Sequence, residues 1–212
     1  MNSSVFIVSG LFAFLAAISP GPDFALVSKN SLLVSRKIGI YTAIGIALGL
    51  SLHVLYALLG FSVIIKESVL IYSIIKYAGS SYLAFLGVQL LISCKTQGAV
   101  LCGINNLRGH PEKLQLSSTR ALLSGLLCNA LNPKASLFIL SFFSQIIDQG
   151  MPRMTQLGIA LEIIAITFLW FSVLATILSH QMISKKFIEF QKYVSIAMGI
   201  FLISFSIKLA FF

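Results

Sequence analysis

Phe14-Leu-Ala-Ala-Ile-Ser-Pro-Gly-Pro-Asp23 closes an apolar run that opens near Val5, and its second half is as hostile to a helix as its first half is favourable. Proline lacks a backbone N–H and its ring clashes with the preceding turn, while Gly21 adds backbone freedom. Ser19, Pro20, Gly21 and Pro22 together are therefore expected to break or sharply bend a helix. Laid over Leu127-Cys-Asn-Ala-Leu-Asn-Pro-Lys-Ala-Ser136, the stretch aligns Pro20 with Pro133, each preceded by a small polar residue, Ser19 or Asn132. Two apolar helices are thus expected to break at matching places about half a chain apart.

The rest of the chain fixes where those breaks lie. Of 212 residues, 58% are hydrophobic and only 10% charged, against about a quarter charged in soluble domains, and the mean hydropathy is +0.97. Too little polar surface exists to wrap a water-soluble domain of this size. Crossing about 30 Å of hydrocarbon takes about 20 apolar residues, and runs near 5–27, 38–64, 69–93, 121–147, 155–179 and 193–211 supply six such spans. None shows the period-two alternation of a membrane barrel strand, so all six are expected to be helices. The same composition sets aside disorder, a secreted disulfide scaffold and a nucleic-acid domain. With no basic residue before Lys29 and no convincing cleavage site, the first run is expected to stay as a span rather than leave as a signal peptide.

Charge orients the spans. Lys29, Arg36 and Lys37 in the first loop, Lys95, Arg108, Lys113 and Arg120 in the third, and Lys185, Lys186 and Lys192 in the fifth lie on one side. Only Lys66, Arg153 and Lys208 lie on the other, which puts the odd loops in the cytoplasm and both termini outside. The +9 net charge is thus a membrane signature. Residues 94–120, with Gly98, Gly103, Gly109 and Pro111, read as a flexible cytoplasmic connector between a first half, 1–93, and a second, 121–212. Three spans per half force the second half upside down relative to the first. The expected fold is therefore an all-α, multi-pass membrane protein built as two inverted three-helix repeats, with spans one and four broken by proline.

Exposed backbone at such breaks cannot face lipid, so the breaks are expected to line one hydrated cavity, with helix N-termini available to an anionic group. Asp23 follows the first break and Lys134 the second, opposite charges that suit a zwitterion, the acid holding an ammonium or a proton and the lysine a carboxylate. Asn129 and Asn132 belong to a polar strip of span four, Ser124, Gly125, Cys128, Asn129, Asn132 and Pro133, expected to face the same cavity. Glu162 lies about 15 Å into span five, too deep for its side chain to reach water, and needs a partner, for which Lys134 and Lys76 are available. It reads equally as a structural pair or a proton carrier. Lys76 and Lys208 are expected to snorkel. His53 is the sole histidine inside a span; histidine changes charge between about pH 5 and 8, but a helix-to-helix hydrogen bond is the favoured reading. Small residues around Gly45 and Gly49, and around Gly79 and Gly87, read as close-packing faces. Cys94, Cys102 and Cys128 form no CxxC pair and receive no role, and no cofactor or metal-ligand set is visible.

Ser19-Pro-Gly-Pro-Asp23 resembles the first-helix motif of the LysE/RhtB family of amino-acid exporters. Gly45-Ile-Ala-Leu-Gly49 with His53 and Ala57-Leu-Leu-Gly60 resembles its second helix, Lys76-Tyr-Ala-Gly79 with Tyr82-Leu and Gly87 its third, and Gly125-Leu-Leu-Cys-Asn-Ala-Leu-Asn-Pro-Lys-Ala135 its fourth. Asp23-Phe24, Val27-Ser28 and Ser35-Arg-Lys37 most resemble the threonine and homoserine efflux branch. The resemblance implies export of a small amino acid from the cytoplasm, in exchange for protons, by a protein of the inner or plasma membrane. One departure stands out: that branch often carries an acid where this chain has Ile166, whereas Glu162 lies one turn earlier on the same face. The expected substrate is threonine-like; the alternatives are lysine, arginine or another small solute. An enzyme or redox carrier and a cation exporter rank lower, because paired cysteines and clustered metal ligands are absent from the spans. A homo-oligomer is compatible with the sequence.

Overall fold

Alanine, leucine and isoleucine runs without interior proline form seven helices of defined extent in the computed structural model: α1 Ser3–Ile18, α2 Pro22–Leu33, α3 Arg36–Glu67, α4 Val69–Ser93, α5 Ser118–Ala130, α6 Pro133–Ile146 and α7 Arg153–Ser179. The structure describes residues 3–19, 21–67, 69–93, 116–147, 150–179, 193, 196–197, 199–204 and 206–207, and among them there is no strand. Pro20, Cys94, Cys102, Lys208, most of the 94–120 connector and much of the sixth span lie outside the described residues, as does the side chain of Lys76.

α3 and α7 are each long and apolar enough to cross a membrane alone, over Arg36–Gly60 and Arg153–Ser179. Two more spans arise if bent pairs are taken together: α1 with α2, bent by 60°, and α5 with α6, bent by 55°. The outside of the bundle is greasy, with Ile7, Leu59, Leu131, Met154 and Leu161 all more than three-fifths exposed, the inverse of a soluble domain. Lipid is the solvent that such a surface fits.

The first bent span runs to Leu33, past the Val27 boundary expected from sequence. Ser28, Asn30 and Ser31 read as a polar loop, yet all three are buried. The Asn30 amide donates to Thr42 Oγ1 (2.8 Å) and the Ser31 hydroxyl to the Val27 carbonyl (2.7 Å), so polarity is absorbed inside the bundle. Lys29 accordingly projects, exposed, from a helix rather than a loop.

α3 packs most closely on α5, because glycine lets the two backbones meet. A Cβ at Gly45 would strike the Leu122 carbonyl, and one at Gly125 the Thr42 carbonyl. Successive contacts rise together, Thr42 to Gly125, Gly45 to Leu126 and Gly49 to Ala130, so α3 and α5 run parallel and start at the same end. That end gathers the exposed Arg36, Lys37 and Arg120. α1 and α7 also run parallel, Phe6 meeting Gly158 and Gly10 meeting Glu162 and Ile166. α1 and α6 run antiparallel, Phe12 stacking on Phe142 while Ser19 meets Lys134. Where α1 and α6 face each other, the two breaks come together.

Candidate functional site

The second break is built first, because its capping is complete. α5 ends at Ala130, and Asn132 holds the N-cap position of α6, its Oδ1 accepting from the Lys134 backbone N–H (3.0 Å). Pro133 takes the first helical position, where its missing N–H costs nothing. At the first break α1 ends at Ile18 and Gly21 caps α2 with no side chain, its φ of 179° being ordinary extended backbone. The proline at the first helical position of α2 is Pro22. The structural counterpart of Pro133 is therefore Pro22, two residues beyond the Pro20 that the sequence alignment pairs with it. In this register Asp23 and Lys134 fall on equivalent positions, each the second residue of its helix.

The two breaks brace each other across one cavity, which Ser19, Gly21, Asp23, Asn129, Asn132 and Lys134 all line. Lys134 Nζ donates to Ser19 Oγ at the end of α1, and a Cβ on Gly21 would lie 3.2 Å from that ammonium. Asn129 Nδ2 (2.9 Å) and Asn132 Nδ2 (3.2 Å) both donate to Asp23 Oδ2. This fixes both amides, since the opposite rotamer of either would point oxygen at oxygen. Asp23 Oδ1 and Asn129 Oδ1 are then buried acceptors without a hydrogen-bond partner among the described residues. The Cys128 thiol lies beside the Asp23 carboxylate.

The strip expected along span four does not face the cavity as a whole. Asn129 and Asn132 line it, but Gly125 is pressed against α3, and the Ser124 hydroxyl turns back to the Ala121 carbonyl (2.8 Å). Asn129 is held from behind. His53, 3% exposed, lies 2.8 Å through Nε2 from the Asn129 carbonyl, and a carbonyl only accepts, so Nε2 carries the hydrogen. In the neutral ring Nδ1 then accepts from the Tyr56 hydroxyl (2.9 Å), which in turn accepts from Ser136 Oγ (2.6 Å). One turn of α3 thereby clamps both sides of the second break.

Glu162 is elsewhere. Its Oε2 accepts from the Ser9 hydroxyl of α1, and its other oxygen lies beside Gly10, along with Ile166, rather than at Lys134; the Lys76 side chain lies outside the described residues. Neither Glu162 nor His53 lines the cavity. Sequence reasoning also passed over the apolar side of the chamber, formed by Phe12, Phe138, Phe142 and their neighbours, and over Thr167 of α7. Apolar residues in an apolar span carry no signal of their own, so only the packing identifies them. No group of three or more potential metal ligands occurs among the described residues.

The LysE type translocator family model matches residues 14–211. The membrane protein YrhP of Bacillus subtilis, itself described as uncharacterized, is 34% identical over 199 residues, 92% of this chain and 93% of that one. A threonine efflux protein of Escherichia coli K12 is 29% identical over 205 residues, 97% of each chain. A leucine efflux protein of Salmonella typhimurium is 28% identical over 216 residues, 99% of this chain and 95% of that one. No solved structure matches the chain.

Proposed function

The chain belongs to the LysE type translocator family, and on that premise we propose that it exports an amino acid whose zwitterionic head sits between the two helix breaks. The protein is a transporter, not an enzyme, and the efflux proteins among its relatives make an amino acid the coarse cargo. The observation that carries the finer reading is the pair of orphaned buried acceptors, Asp23 Oδ1 and Asn129 Oδ1, in a cavity that also holds the Lys134 ammonium. Buried acceptors without donors are costly, and an ammonium is a group of donors only. Asp23 and Asn129 would take the substrate ammonium. Lys134, at the N-terminus of α6, would take the carboxylate on leaving Ser19, with Asn132 keeping that helix end in place.

Proton antiport follows from the same carboxyl. Asp23 would hold either the ammonium or a proton, so each excludes the other, which is the condition for exchange. His53 braces Asn129 and Glu162 braces α1 against α7, and as neither lines the cavity Asp23 is preferred to both as the proton site. Alternating access would be a rocking of two inverted three-helix halves about the crossed breaks. The parallel course of α3 with α5 and of α1 with α7, and the equivalent first-position prolines, support that arrangement. Gathering of Arg36, Lys37 and Arg120 at one end supports a cytoplasmic placement there, with the termini on the outer side of the cell membrane. Threonine or homoserine, implied by the first-helix motif, would use these same head contacts.

The test is efflux from amino-acid-loaded proteoliposomes under an imposed proton gradient. Asp23→Ala is expected to abolish gradient-driven efflux, by at least about 100-fold, while reconstituting to normal levels. Normal efflux from that variant would remove the assignment.

A further inference from the structure

The chamber is divided along its length. On α6 its lining runs from Lys134 through Phe138 to Phe142, eight residues or about 12 Å of helix. On α1 it runs from Ser19 back to Phe12, seven residues or about 10 Å. Both helices thus pass from charge at the breaks to bare hydrocarbon away from them. The far end is walled by Phe12, stacked on Phe138 at 4.4 Å and on Phe142 at 4.5 Å between centroids, with Leu50 from α3, Leu86 from α4 and Leu202. Each of these six is at most 6% exposed, and none carries a polar side-chain atom. They come from five separate parts of the chain and close around the slot from several sides.

We propose that this slot receives the substrate side chain and selects a large, unbranched or branched hydrocarbon or thioether, an amino acid of the leucine and methionine class, over hydroxylated ones. The inference rests on the head-group reading given under Proposed function. With the ammonium at Asp23 and the carboxylate at Lys134, a side chain is directed along α1 and α6 into the phenylalanine wall. There, every methylene withdrawn from water adds about four-fold in affinity. A hydroxyl without a partner loses about five-fold or more. Among the described residues the one lining hydroxyl outside the breaks is Thr167 on α7, between Ile163 and Phe171, and a hydroxylated substrate would have to reach it. The expected preference for leucine or methionine over threonine is about 10-fold or more.

The experiment uses the full chain in proteoliposomes, measuring efflux of labelled leucine, methionine, threonine and homoserine singly and in competition. It is run for the unaltered protein, Leu86→Ala, Thr167→Val and Asp23→Ala. Leucine or methionine ahead of threonine by about 10-fold, with Leu86→Ala lowering leucine efflux several-fold and sparing threonine, supports the slot. Threonine or homoserine favoured and lost in Thr167→Val, or equal losses of all four substrates in Leu86→Ala, overturns it. In those cases, dependence on Asp23 leaves the exporter reading standing. Failure of all four to move in an Asp23-dependent way overturns the exporter reading itself.

Discussion

The break between α1 and α2 and the break between α5 and α6 carry the same proline at the first helical position and opposite everything else. The second is capped by its own asparagine and clamped from α3 by His53 and Tyr56, so it is held without help from the first. The first has Gly21 at its cap with no side-chain capping bond, and among the described residues its side-chain hydrogen bonds come from across the cavity: Lys134 on Ser19, and Asn129 and Asn132 on Asp23. One break is thus a frame and the other a part held by it. The charges follow the same division. Asp23 lies where a helix N-terminus favours an anion, whereas Lys134 lies where it disfavours a cation. An arriving carboxylate relieves the second position. An arriving ammonium meets Asp23 Oδ1, which accepts no hydrogen bond among the described residues.

The widest separation between the breaks is exposed by exchanging their charges. If the positions were equivalent in function as they are in helix register, Asp23→Lys combined with Lys134→Asp would keep export. It is expected to abolish it, because Asn129 and Asn132 would then aim amide donors at a cation. Efflux from proteoliposomes checks this, and recovery of more than about a tenth of normal export would show the surroundings of the two breaks to be interchangeable.

A smaller effect separates framing from binding at Asn132. Asn132→Asp keeps a good cap for α6 but loses the donor to Asp23 and sets a second anion beside it. Export is expected to fall about 10-fold or more with thermal stability in detergent nearly unchanged. Asn132→Ala is expected to lose the cap as well, about 1 kcal/mol, and so to lower both. Equal loss of stability in the two variants would mean that the amide, rather than the cap, frames the break.

The apolar helices α3 and α7, the two bent pairs and the breaks within them were legible from sequence because proline and hydrocarbon act locally. Runs of apolar residues set the spans, and Pro22 and Pro133 sit where a helix can begin. The pairing of Pro20 with Pro133 was off by two because Ser-Pro matched Asn-Pro in letters, whereas the helix start depends on which proline can occupy its first position. Asp23, Asn129, Asn132 and Lys134 were found together because charge and amide in a span are conspicuous. The partners of Glu162 were not legible: a hydroxyl at Ser9 and the room that Gly10 leaves beside it, which Glu162 fills, look like ordinary helix packing until α1 is laid against α7. The phenylalanine wall was invisible for the complementary reason, since twelve-ångström stretches of hydrocarbon in a membrane helix announce nothing until another helix meets them.

Gly21 gives the smallest and most selective probe of the contrast. A methyl group there would lie 3.2 Å from Lys134 Nζ, tighter than ordinary contact, yet the neighbour is the end of a flexible side chain, so the helix start itself need not move. The backbone at Gly21 is extended and not left-handed, so alanine introduces no backbone strain either. Gly21→Ala should therefore act on one thing, the lysine that ties the second break to the first. Export is expected to slow about two- to three-fold while protein yield and thermal stability stay unchanged. Displacing the lysine loosens both its tie to Ser19 and its approach to the substrate carboxylate, so the rate responds even though no charged or amide group has been removed, and an unchanged rate would show that neither contact limits export.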